Sequence, residues 1–179
     1  AIELNPKDSI AYSNLGSIYR GLGKLEEGKL YTRKAIELNP NDSIAHSNLG
    51  GIYTDLGISD QAEKSLLKAI EINPNLAKAY YNLSTLYQKN KQANWEEYLF
   101  SKNILKKQNN INLIDIYFAQ GNILEKKLQY TKSANIFMKA NKLNRKIYGS
   151  NYIHIKNRME YYYKIWKNIK SEQDQPKNH

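Results

Sequence analysis

Ala35-Ile36-Glu37-Leu38-Asn39-Pro40 decides how this chain is read, because nearly the same six residues stand at Ala1 to Pro6 and again at Ala69-Ile70-Glu71-Ile72-Asn73-Pro74. The prolines are spaced 40 − 6 = 34 and 74 − 40 = 34 residues apart. A fixed period of that length marks an array of helix pairs, in which each unit buries its apolar face only against its neighbours. The 179 residues therefore count repeats rather than domains.

Working outward from that stretch, Tyr12, Leu15, Gly16 and Tyr19 follow the steps i, i+3, i+4, i+7 and share one helical face. After Gly21-Leu22-Gly23 a second helix carries Leu25, Gly28, Thr32, Ala35 and Ile36 toward the first. Gly16 and Gly28 are small enough to let the two backbones come close. Pro40 stops the second helix, since the residue before a proline is pushed out of the α region. Asp8 or Ser9 can accept a first-turn N–H as the cap of the first.

The composition excludes several function classes. No apolar run approaches the ~20 residues needed to span a bilayer, so no transmembrane segment is expected. Cysteine is absent, which removes disulfides and thiolate metal sites. His46, His154 and His179 have no ligand spacing, and no glycine-rich loop ends in Lys-Ser/Thr. The expectation is a non-catalytic chain with no metal, no cofactor and no catalytic residue. Ala1-Ile2-Glu3-Leu4 is not a signal peptide and reads as the last turn of a helix whose beginning is missing. A cytoplasmic location follows as an expectation.

The recurring residues resemble the tetratricopeptide repeat (TPR) family. His46, Leu49, Gly50, Tyr53, Gly57, Ala62, Leu66, Ala69 and Pro74 repeat the first unit, and Tyr80, Leu83, Ser84 and Tyr87 open a third. That unit departs from the pattern: Lys89 to Asn94 lengthens its turn, Tyr98 replaces the small residue, and Asn110 stands near the missing proline. Its helix pair is expected to be splayed or shifted. Tyr117, Gly121, Leu124, Tyr130, Phe137 and Ala140 mark a fourth, with Ser133 aligned to the small position and Ala134 beside it.

The fold implied is all-α, a right-handed superhelical solenoid of antiparallel helix pairs with a C-terminal capping helix. Its expected divisions are the end of a truncated repeat at 1–8, repeats at 9–42, 43–76, 77–112 and 113–147, the capping helix at 148–170 and a polar tail or linker at 171–179. Phe118-Ala119-Gln120-Gly121 with Tyr130, Ala134, Phe137 and residues 140–145 also resembles the last repeat of TPR arrays that precede bacterial sulfotransferase domains. That resemblance implies a substrate-presenting arm of a larger enzyme.

In the TPR family the concave groove, lined by the other face of each first helix, holds extended or helical peptides. The matching positions are Ser13, Asn14, Ser17 and Arg20; Ser47, Asn48 and Thr54, with Gly51; then Lys78, Tyr81, Asn82, Thr85, Gln88 and Lys89. Asn14, Asn48 and Asn82 recur every 34 residues. They form either a ladder of amides for a peptide backbone or a set of ties between repeats. The family's carboxylate clamp for chaperone tails is not matched, because Ser13 and Ser17 stand where lysine and asparagine belong.

Charge supplies a second hypothesis for the partner. Residues 1–90 hold 10 basic and 10 acidic side chains, and residues 91–179 hold 27 − 10 = 17 against 17 − 10 = 7, so the net +10 lies in the second half. Lys126, Lys127, Lys132, Lys139, Lys142, Arg145, Lys146, Lys156, Arg158, Lys164 and Lys167 alternate there with Tyr148, Tyr152, Tyr161 and Trp166. The mix suits nucleic acid or another anionic partner, or a solvated helix face over packed aromatics.

Overall fold

In a computed structural model of the chain, residues 7–87 and 94–149 are described. They form two compact units divided between Tyr87 and Gln88. The first unit contains α1 (Ser9–Gly21), α2 (Leu25–Leu38), α3 (Ser43–Asp55), α4 (Ser59–Ile72) and α5 (Ala77–Leu86). The second contains α6 (Asn94–Phe100), α7 (Lys102–Lys106), α8 (Asn110–Lys126) and α9 (Tyr130–Tyr148).

Local chemistry sets the helix ends in the first unit. Asp8 and Asp42, one period apart, each accept from two first-turn amides: Ile10 and Ala11 at 3.0 and 3.1 Å, Ile44 and Ala45 at 2.9 and 3.1 Å. Aspartate, not Ser9, is the cap. Gly23 and Gly57 make the turns with φ of +74°, a left-handed conformation that glycine enters without a Cβ penalty. Asn39 and Asn73 are extended where the prolines stop α2 and α4.

The helices of each pair meet where side chains are small. A Cβ on Gly16 would lie 3.0 Å from the Gly28 carbonyl oxygen, and one on Gly50 would lie 2.5 Å from Leu66 Cγ. In the second unit the matching Gly121 sits against the Phe137 ring, and Ser133 occupies the small position, donating to the Gly121 carbonyl at 2.9 Å. Leu49, Tyr53 and Ala62 then form a core against which Ile36 of α2, Leu86 of α5 and Leu56 at the end of α3 pack. Burial therefore passes from each pair to the next within the unit.

The segment expected to be the second helix of the third repeat differs from a regular one. It is two pieces, α6 and α7, because Ser101 is extended (φ −71°, ψ 153°) and its Oγ accepts from Ile104 N at 3.4 Å as the cap of α7. The break frees the Leu99 carbonyl, and buried Gln120 of α8 donates to it at 2.8 Å. Helix α8 begins at Asn110, capped by Asn109, and α9 ends at Tyr148. The rest of the expected capping helix, the tail at 171–179, the segment 1–6 and most of the lengthened turn lie outside the described residues.

Candidate functional site

Helices α1, α3 and α5 touch in succession and form a row, each backed by its partner or neighbour from the second-helix set. The positions expected to line a groove fall on this row, but burial sorts them. Asn14, Ser17, Lys78 and Thr85 are exposed; Arg20, Asn48, Thr54 and Tyr81 are half-buried. Ser13, Ser47 and Asn82 are only 3%, 3% and 5% exposed, so these three work between helices and offer nothing to a visitor. Gln88 and Lys89 lie outside the described residues.

The asparagine ladder separates into three different environments. Asn48 Nδ2 donates to Ser13 Oγ at 3.2 Å and lies 3.5 Å from the Ser13 carbonyl oxygen, tying α3 to α1. One period on, Ser47 Oγ and Asn82 Nδ2 occupy the matching places, and neither has a hydrogen-bond partner. Asn14 alone of the three is exposed. The tie between repeats is thus present at Asn48, and the continuous row of free amides is not.

Arg20 is committed as well. Its Nε donates to Asp55 Oδ2 at 2.6 Å and its Nη2 to Asp55 Oδ1 at 3.2 Å, a forked pair between α1 and α3. Gly51 gives the guanidinium room, since a Cβ there would lie 2.1 Å from Arg20 Nη1. Asp55 was missed in the sequence. The available signal was a carboxylate one period and one residue after the arginine, a spacing that places it on the adjacent helix.

At the far end of the row, Lys78 Nζ lies 4.9 Å from the centre of the Tyr81 ring, within cation–π range. Thr54 and Thr85 turn their hydroxyls back to the carbonyls of Gly50 at 2.9 Å and Asn82 at 2.7 Å. The expected groove positions that stay open with side-chain polar groups not turned back to the backbone are therefore Asn14 and Ser17 on α1 and Lys78 with Tyr81 on α5.

In the second unit Lys132, Lys139, Lys142, Arg145 and Lys146 of α9 are exposed, and the helix carries no acidic residue. Lys127 is different, being ion-paired with Glu96. Burial holds Lys126 below the ordinary lysine value, against the pull of Glu125. Neither belongs to an open basic face. Among the described residues no cluster of three or more histidine or acidic side chains could hold a metal, and no helix is long and apolar enough to cross a membrane.

Patterns of the tetratricopeptide repeat match residues 9–42, 31–64, 65–97 and 114–147. The unmatched interval 98–113 contains the break at Ser101. A comparison with curated protein sequences returns no match. Among solved structures, YrrB, described as a TPR protein with an unusual peptide-binding site, is 20% identical with a TM-score of 0.58; the similarity covers 94% of this chain and 82% of that one. PilF of Pseudomonas aeruginosa is 22% identical with a TM-score of 0.67, over 94% of this chain and 75% of its own. A chain of the APC/C hetero-tetramer Cut9–Hcn1 is 20% identical with a TM-score of 0.63, over 81% of this chain and 27% of its own.

Proposed function

The chain belongs to the tetratricopeptide repeat family, and from that premise we propose that it is a scaffold that binds a peptide segment of a partner protein along the row α1, α3, α5. The observation that carries this reading is Lys78 set over Tyr81, an exposed cation and a half-buried ring on the row where members of the family hold peptides. The similarity to YrrB, a protein described by its peptide-binding site, agrees with it. Asn14 and Ser17 supply uncommitted polar groups at the other end of the row.

Hydrogen bonds alone cannot make such a complex. Two or three at about 0.5–1.5 kcal/mol each fall short of the roughly 8 kcal/mol of a micromolar complex. The lysine and tyrosine supply the remainder through charge and burial of a side chain. A displayed peptide library selected against the full chain tests this. Lys78→Glu combined with Tyr81→Ala is expected to weaken selected peptides at least about tenfold with helix content unchanged. Peptides that bind the double variant as well as the parent would place the interaction elsewhere.

A second reading concerns α9, whose exposed face carries only positive charge among its ionisable side chains. It would draw an anionic partner such as nucleic acid. Affinity for a single-stranded oligonucleotide should then fall steeply with salt. A loss below about twofold between roughly 50 and 200 mM salt would remove this reading.

A further inference from the structure

In the first repeat three tyrosine rings stack. Tyr31 of α2 lies between Tyr12 and Tyr19 of α1, with centroids 6.3 and 5.2 Å away and planes within 24° and 19°. One period on, the same positions hold Ser65, His46 and Tyr53. Serine omits the middle ring, and what remains is an open cleft of about 620 Å³ beside His46, Leu49, Tyr53 and Ser65, with Arg33 and Lys64 also lining it.

His46 and Tyr53 are each held by a hydrogen bond. His46 Nε2 lies 2.9 Å from the Pro40 carbonyl oxygen, so it serves as the donor there, as the Tyr80 hydroxyl does to Pro74 at 3.0 Å one period later. Arg33 Nη2 donates to the Tyr53 hydroxyl at 2.7 Å. Two of the side chains lining the cleft are thus fixed in place, and the first repeat seats a ring at the matching position.

We propose that this cleft anchors an aromatic side chain of a partner peptide, in the place that Tyr31 takes one repeat earlier, with a carboxylate beside it. The carboxylate follows from charge. Of the ionic groups lining the cleft, Lys68 is paired with Glu71 at 2.9 Å and Glu37 with Lys34 at 3.0 Å. Arg33 and Lys64 have no carboxylate partner among the described residues, leaving positive charge at the mouth. The cleft is built from α2, α3 and α4 and uses none of the reachable row residues, so it is a second site, independent of the peptide groove.

The test uses the full chain and the blocked peptide acetyl-Asp-Tyr-Gly-amide, followed by NMR at the His46 and Tyr53 rings. The peptide should shift both rings, and its alanine counterpart should bind at least about tenfold more weakly, because the buried ring supplies most of the contact. Ser65→Tyr, which installs the missing ring from within, should abolish the shifts, and Ser65→Ala should preserve them. Equal binding of the two peptides overturns the proposal, whether or not Ser65→Tyr folds. So do shifts that survive in a folded Ser65→Tyr protein, or ring signals that move with protein concentration alone, which would make a second copy the occupant.

Discussion

Ser13 and Ser47 are the same residue one period apart, equally buried, and their hydroxyls differ in one respect. Ser13 Oγ accepts from Asn48, and Ser47 Oγ has no partner. A buried hydroxyl without a partner carries the cost of its lost hydration, whereas a satisfied one contributes modestly. Ser13→Ala should therefore destabilise the protein by about 0.5–1.5 kcal/mol, and Ser47→Ala should leave it unchanged or raise its stability. Denaturant titration of the two variants side by side checks this, and equal losses would show that the hydroxyls are equivalent in solution. The sequence could not distinguish them. A 34-residue spacing puts Asn48 and Asn82 in matching positions, but a hydrogen bond depends on shifts of a few tenths of an ångström between helices, which the period does not record.

The break between α6 and α7 is the clearest departure of an element from the repeat. Trp95, Leu99 and Ile104 are all buried, so the segment keeps an apolar face while its backbone is interrupted at Ser101. An interrupted helix must satisfy its freed carbonyls elsewhere, and Gln120 meets that need for Leu99. Gln120→Leu is similar in volume but cannot donate. It should cost about 1–3 kcal/mol by stranding a buried carbonyl, and hydrogen exchange should quicken first in α6 and α7. A uniform loss across both units would count against this. The loss of the small residue at Tyr98 and of the closing proline signalled irregularity here. The position of the break carried no such signal, because Ser101 is chemically ordinary and acts as a cap only through its extended backbone.

At the scale of the molecule, the legible part was whatever the period enforces. Helix pairing, the glycines at the crossings and the proline stops all answer to steric limits set by residue type, so they survive translation from sequence to structure. The proposed groove was legible only as a set of positions, since Ser13, Ser47, Asn82 and Arg20 turn inward or bond across repeats for reasons that lie in three dimensions. The same steric logic gives a test of how stability is distributed. In a repeat array each unit leans mainly on its neighbours, so a local defect should spread only a short distance. Gly50 is a suitable place for one: a Cβ there would lie 2.5 Å from Leu66 Cγ and 3.2 Å from the Ala62 carbonyl oxygen, and Leu66 is fully buried with nowhere to move. Gly50→Leu should cost about 1–3 kcal/mol through overpacking of the α3–α4 crossing. Because the described chain forms two compact units, amide exchange should rise across α1 to α5, while α8 and α9 keep the protection they have in the parent protein. Equal loss of protection in α8 and α9 would mean that the two units unfold as one, and unchanged stability would mean that Gly50 does not sit at a tight crossing.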